Sequence, residues 1–108
     1  MAQDFRNNLQ RNVGTVAVTL VTAGDFDAVI GIRCCNVHAS STIALDVYIA
    51  NSGDHYIAKD VSIPPNSAIE LIQGGAKVVL ESGDVLKAYS SAATSLDIIT
   101  SFIDTISS

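Results

Sequence analysis

The side chains with the most reactive chemistry stand close together: Cys34, Cys35 and His38. Thiolates and imidazoles bind zinc, but a zinc site needs four ligands, usually in spaced Cys and His pairs. Neighbours on a strand point to opposite faces, so adjacent cysteines aim their thiols apart. A bridge between them would need a strained ring. The expectation is two reduced thiols, one a small core hydrophobe and one facing outward, with no metal and no cofactor. A chain with these as its only cysteines has no disulfide framework. His38 falls at a strand end, and His55 in a turn.

Other chemistries fail on spacing. A nucleophile needs a base and an orienting acid beside it. The serines sit in turns, and none occupies a Gly-x-Ser-x-Gly elbow. Gly74-Gly75 with Lys77 lacks the spacing and following helix of a phosphate loop, and reads as a hairpin. Asp25, Asp27, Asp54, Asp60 and Asp84 fall in or near turns, where Asp is ordinary turn chemistry. They lack the ligand spacing of a calcium loop. The chain is not expected to be an enzyme.

The surrounding elements are strands. Residues 15–22 read TVAVTLVT, with Val16, Val18 and Leu20 on one face and Ala17, Thr19 and Val21 on the other. Residues 27–38 form a longer run, in which Gly31 marks a bulge or a close backbone approach. In IALDVYIA, residues 43–50, Leu45, Val47 and Ile49 face in while Asp46 and Tyr48 face out. A turn at 51–54 precedes a run over 56–63, and Pro64-Pro65 ends any central pairing. From Ile63 to Lys87, short apolar runs alternate with turns, the pattern of consecutive antiparallel strands. The closing segment, 95–106, is apolar on both faces: Leu96, Ile98 and Phe102 on one, Ile99 and Ile103 on the other. One face is expected on the core and the other on a neighbouring sheet or subunit. The prediction is an all-β chain forming one antiparallel sandwich, jelly-roll-like or Ig-like, of about eight strands.

Bulk properties narrow the class. The 108 residues suit one domain. They are 48% hydrophobic and 16% charged, against about 25% charged in average domains. Surplus apolar surface on a small domain points to self-association. Net charge is −5, and the six basic residues are scattered, so nucleic acid and anionic membrane are disfavoured partners. The opening MAQDFRNNLQRN is polar and no run approaches the roughly 20 apolar residues of a membrane span, so synthesis and folding in a cytoplasm are expected. Residues 1–13 read as a polar arm ahead of a sandwich domain over 14–108. Phe5 and Leu9 are four apart with Val13 in step, a spacing that would make one stripe on two helical turns; the alternative is a frayed N-terminus.

Four stretches carry a resemblance. They are Asn8-x-x-x-x-Val13-Gly14-Thr15, the VIGI at 29–32, YIAKDVSIPPNSAIELIQGGAKVVLESGDVLK at 56–87, and SLDIITSFID at 95–104. Together they resemble small virion proteins of tailed bacteriophages, especially marine and cyanobacterial phages. The match is densest at Lys59 to Pro64, Gly74-Gly75 and Lys77 to Lys87; Cys34-Cys35 and Pro65 depart from it. The resemblance implies a capsid decoration (cement) protein: a sandwich subunit, often a homotrimer, made in the host cytoplasm and bound to the outer capsid surface. Its partners would be its own copies and the major capsid protein or another virion protein. The alternatives are a tail, neck or fibre component, and a receptor- or glycan-binding head. The last is weakened by the absence of Trp and a total of three Tyr. Interface roles are expected of Phe5, Leu9, Arg11 and Val13 in the arm, and of Pro64, Pro65 and Asn66 at an exposed turn.

Overall fold

The computed structural model describes residues 4–24, 27–72 and 77–104, the side chains of residues 4 and 104 excepted. These residues form nine strands: β1 (Asp4–Val13), β2 (Val18–Thr22), β3 (Asp27–Asn36), β4 (Ile43–Ala50), β5 (Asp54–Ile63), β6 (Ser67–Glu70), β7 (Val78–Leu80), β8 (Val85–Ser90) and β9 (Leu96–Asp104). One sheet runs β1-β9-β3, with β6 and β7 both paired to β3; the other runs β2-β8-β4-β5. Every pairing is antiparallel.

The pairs are nested. Strand β4 pairs with β5, β3 with β6 and β7, β2 with β8, and β1 with β9. The chain thus folds like one long hairpin wrapped into two facing sheets, which is the jelly-roll topology. The expected single antiparallel sandwich is what forms.

Alternation builds the core. Leu86 and Ala88 of β8, Leu45 and Val47 of β4, Ile32 and Cys34 of β3, and Leu96 and Ile98 of β9 all project between the sheets and are fully buried. Cys34 lies in this core and Cys35 is half-exposed, so the thiols point apart as adjacency requires. Burial pushes the Cys34 thiol up to about 12, with the nearby Glu70 carboxylate adding to the shift. The glycine bulge also forms. The β3–β9 register shifts between Val29 and Gly31, and Glu70 Oε2 accepts from the displaced Ile32 amide at 2.7 Å. A Cβ on Gly31 would stand 3.5 Å from that same oxygen.

Three expectations are corrected. The stretch from Ile63 to Lys87 is not a series of hairpins. Strands β6 and β7 both pair with β3, along its C-terminal and N-terminal halves, and not with each other. The turn at Pro64-Pro65-Asn66 carries the chain from the second sheet to the first, and that at Ser82-Gly83-Asp84 carries it back. Asn66 and Gly83 supply the positive φ these corners use, 57° and 94°. The Gly74-Gly75 hairpin lies outside the described residues. Second, Val16 does not share a strand face with Val18 and Leu20: it precedes β2 and is 78% exposed. Third, residues 4–13 form a strand and not a helix. Positions four apart share a face in either element, and the free edge of β9 decides for the strand.

The sheet crossings meet at Asn36, the last residue of β3 and fully buried. Its Nδ2 donates to Ser41 O at 2.8 Å and to Ile63 O at 2.9 Å, and its Oδ1 accepts from His38 N at 2.9 Å. One side chain thereby ties the β3–β4 loop to the corner after β5.

Asn36→Ala strands these backbone groups, each worth about 1–3 kcal/mol when left unsatisfied and buried, so urea unfolding should show a loss of about 3 kcal/mol or more. The native protein should react with a thiol reagent at Cys35 alone, and at both cysteines after denaturation; two rapid equivalents from the native state would contradict the buried thiol.

Candidate interface surfaces

Among the described residues the cysteine and histidine side chains take separate places in the fold. Cys34 lies inside the sandwich, and His38 Nδ1 accepts from the Ser40 and Ser41 amides, both at 3.1 Å, as a loop brace. Among the described residues, no group of three or more His, Cys, Asp and Glu is placed to hold a metal. Asp84 closes its own turn: Oδ1 accepts from Asn51 Nδ2 at 2.6 Å and Oδ2 from the Glu81 amide at 2.9 Å. Those bonds, the Asn51 one first, hold its carboxyl below the usual range.

What the fold presents instead is three surfaces. The first is the outer face of β1 and β9. Phe5 stands directly opposite Ile103, and Leu9 opposite Ile99. Phe5, Leu9 and Ile99 are 75%, 65% and 45% exposed, so these are apolar side chains turned to solvent on a regular ladder. The alternate positions, Arg6, Asn8 and Gln10, face the sandwich side and are polar. Strand β1 therefore wears its apolar face outward, the reverse of an ordinary sandwich strand. Shallow grooves flank it: one of about 590 Å³ lined by Phe5, Arg6, Asn7, Ile30, Ser101 and Phe102, another of about 330 Å³ beside Leu9, Arg11 and Ile99.

A bulge ends this pattern. The register slips between Gln10 and Val13, and Asn12 takes a positive φ of 55°. The Asn12 amide leaves the ladder and donates to Asp97 Oδ1 at 3.0 Å. The extra residue flips Val13 inward, where it is 2% exposed and part of the core. Phe5 and Leu9 are thus open to a partner, while Val13 is enclosed by its own chain. Arg11 is exposed on the bulge.

The second surface is one end of the sandwich. Hydrogen bonds from Val37 N to Ser95 O, Ser90 N to Gly14 O, and Asn36 Nδ2 to Ile63 O gather four connections there. Residues 14–17, 37–42, 64–66 and 91–95 contain no Asp, Glu, Lys or Arg. Val16 and Val37 are exposed on it, with Pro64 and Asn66 exposed and Pro65 half-buried. The opposite end, where Asn51 meets Asp84, carries Asp54, Glu81 and Asp84. Pro64, Pro65 and Asn66 are not brought together with the β1 residues. Three strand spacings, roughly 14 Å, separate β1 from β6 across the sheet.

The third surface was not read from the sequence. On the outer face of the second sheet, Asp46 and Tyr48 point away from the core yet are only 5% and 8% exposed. Tyr89 Oη donates to Asp46 Oδ2 at 2.8 Å, the Asp60 amide donates to Oδ1 at 3.0 Å, and Lys59 Nζ stands 3.8 Å away. Tyr48 packs on Tyr56 and Tyr89, with ring centroids 5.3 and 6.2 Å apart, and Lys59 lies over the Tyr56 ring. The signal was three tyrosines in separate strands; the cross-strand register that unites them is not local. The hydrogen bond to Asp46, first among its causes, raises the Tyr89 pKa above the ordinary tyrosine range. Burial first, then the Asp54 charge, raises that of Tyr48.

These features define a jelly-roll sandwich with an apolar outer face on β1 and β9, an uncharged end and a tyrosine cluster on the second sheet. No protein-family model matches the chain, and no curated protein matches it. Among solved structures, it is similar to a pentameric capsid protein isolated from metagenomic phage sequences, with a TM-score of 0.50 and 17% identity. The match covers 93% of this chain and 64% of that one, so this chain spans under two thirds of the protein it resembles. The likeness is one of fold.

The Tyr89–Asp46 contact needs the neutral phenol. Its contribution is full below tyrosine's ordinary pKa of about 10 and is lost as pH rises through the elevated folded value. Tyr89→Phe should flatten this alkaline fall in stability, read as the urea midpoint against pH; an unchanged pH profile would sink the assignment.

Proposed function

We propose that the chain is a structural protein of a phage virion, a decoration (cement) subunit that binds the outer capsid surface and stabilises it. The observation that carries this reading is the apolar outer face of β1 and β9, Phe5, Leu9, Ile99 and Ile103, on a sandwich whose fold is shared with a phage capsid protein. The resemblance of residues 56–87 and 95–104 to small virion proteins supports the same class. The role is structural, not enzymatic, and needs no cofactor.

In this reading the outer face of β1 and β9 seats on the major capsid protein, with Phe5 and Leu9 as anchors and Arg11 at the rim. Desolvating exposed aromatic and aliphatic side chains is the ordinary source of such affinity. Residues 1–13 work as an arm and 14–108 as the body, because β1 gives the core only Val13. The body self-associates through its uncharged end, including Pro64, Pro65 and Asn66, in a homotrimer. Identical copies meeting around an axis bring like residues together, and a tip without formal charges avoids like-charge opposition. A subunit that binds only the assembled shell stabilises it by mass action.

Mixing the purified protein with expanded empty capsids should give saturable binding at a stoichiometry matching three-fold sites. Phe5→Asp with Leu9→Asp should abolish binding while leaving the melting curve nearly unchanged, since both side chains are exposed. Recovery on tails with no binding to heads would overturn the decoration role.

A further inference from the structure

The four sheet edges are not alike. An unpaired edge presents free backbone N–H and C=O groups, and folded proteins normally blunt it with short strands, bulges, lysine or proline. Strand β2 has five residues and a bulge. On the far side of the first sheet, the edge is split into β6 and β7, of four and three residues. Strand β5 is bulged, carries Lys59, takes a positive φ at Asp60 and runs into Pro64. Over Asp4–Gln10 strand β1 is long, unbulged and without lysine or proline, and what it keeps of this kind is the charged Arg6 on its inner face. It pairs with β9 in unbroken register there, and no strand among the described residues pairs with its other side.

The same segment is nearly palindromic. Around Asn7 the order reads Phe5, Arg6, Asn7, Asn8, Leu9: apolar, polar, Asn, polar, apolar. Residues directly opposite in an antiparallel pair project to the same face. If β1 pairs with itself about a twofold axis at Asn7, Phe5 meets Leu9 of the second copy and Arg6 meets its Asn8. Asn7 then meets its own counterpart; no like charges stand directly opposite, and the two Arg6 side chains lie diagonally across the seam. The rows continue onto β9, because Ile103 lies beside Phe5 and Ile99 beside Leu9. Two four-residue apolar rows then cross the seam, with a polar row of Ser101 and Asn7 between them.

We propose that β1 is a self-pairing edge: two copies of this chain join antiparallel through β1, centred on Asn7, into one continuous sheet. The seam uses the backbone edge of β1, distinct from the outward side chains assigned to the capsid, and stands without the virion reading. Its occupant is a second copy, because the palindrome, with no like charges directly opposite, is a property of β1 against itself.

The test is directed cross-linking in a Cys35→Ser background, where the remaining Cys34 is buried. Under mild oxidation Asn7→Cys should give a covalent dimer on a non-reducing gel, faster by roughly tenfold or more than Val79→Cys, an exposed position away from the β1 edge, because pairing raises the effective concentration of the Asn7→Cys thiols alone. Equal rates, or an Asn7→Cys thiol that stays monomeric while open to a thiol reagent, would overturn the proposal. Hydrogen exchange on the unmodified protein gives a second reading. At high concentration all β1 amides should be protected, and on dilution those pointing away from β9 should lose protection while the others keep it. Alternate β1 amides that exchange freely at every concentration would also refute it.

Discussion

A chain that wraps into two sheets must cross between them, and every crossing leaves backbone groups that no ladder can pair. The side chain of Asn36 meets that demand at the busiest crossing, donating to Ser41 O and Ile63 O and receiving from His38 N. It does so while fully buried, so no water can substitute. The corner after Ile63 turns on Pro64 and Pro65, which lack a backbone N–H and give no amide to the crossing. The buried amide of Asn36 makes up for them. With that corner held, β6 can reach β3, and the nested order of the fold follows.

The elements were legible where the signal was local. The alternation of Leu45 and Val47, the break at Gly31 and the opposed thiols of Cys34 and Cys35 follow from neighbours in the chain, and all are found. Pairing was less legible. Nothing in residues 67–80 says that β6 and β7 will share β3 rather than pair with each other, because the choice rests on an edge about 40 residues earlier in the sequence. The outward set Asp46 and Tyr48 reads as solvent-facing, and is instead covered by Tyr56, Tyr89 and Lys59 from two other strands. Burial on an outer face depends on register, which local pattern does not contain.

The candidate surfaces show the same division. Phe5 and Leu9 stand out in a polar stretch, and their exposure follows once β1 is a strand on β9. Val13 looks equivalent in sequence and is not. The slip at Asn12 changes its face, turning a prospective contact residue into part of the core. The uncharged end is invisible to any window along the chain, since it joins four loops from positions 14 to 95. Each loop alone is unremarkable; the backbone bonds that gather them create the surface.

Strand β1 brings these threads to one place. Its polar residues face the sandwich because it lies at the open side, where Gln10 Nε2 reaches the carbonyl of Thr19 at 3.3 Å. An edge position has little core to fill, so apolar side chains on the inner face would gain little there. Placing them outward raises the energy of the isolated subunit, since Phe5, Leu9 and Ile99 remain in water. That arrangement is stable as a fold because the backbone ladder to β9 and the enclosed Val13 hold the strand without them. The ladder thus secures the strand while its outer face stays exposed, and side chains there can change without disturbing the core.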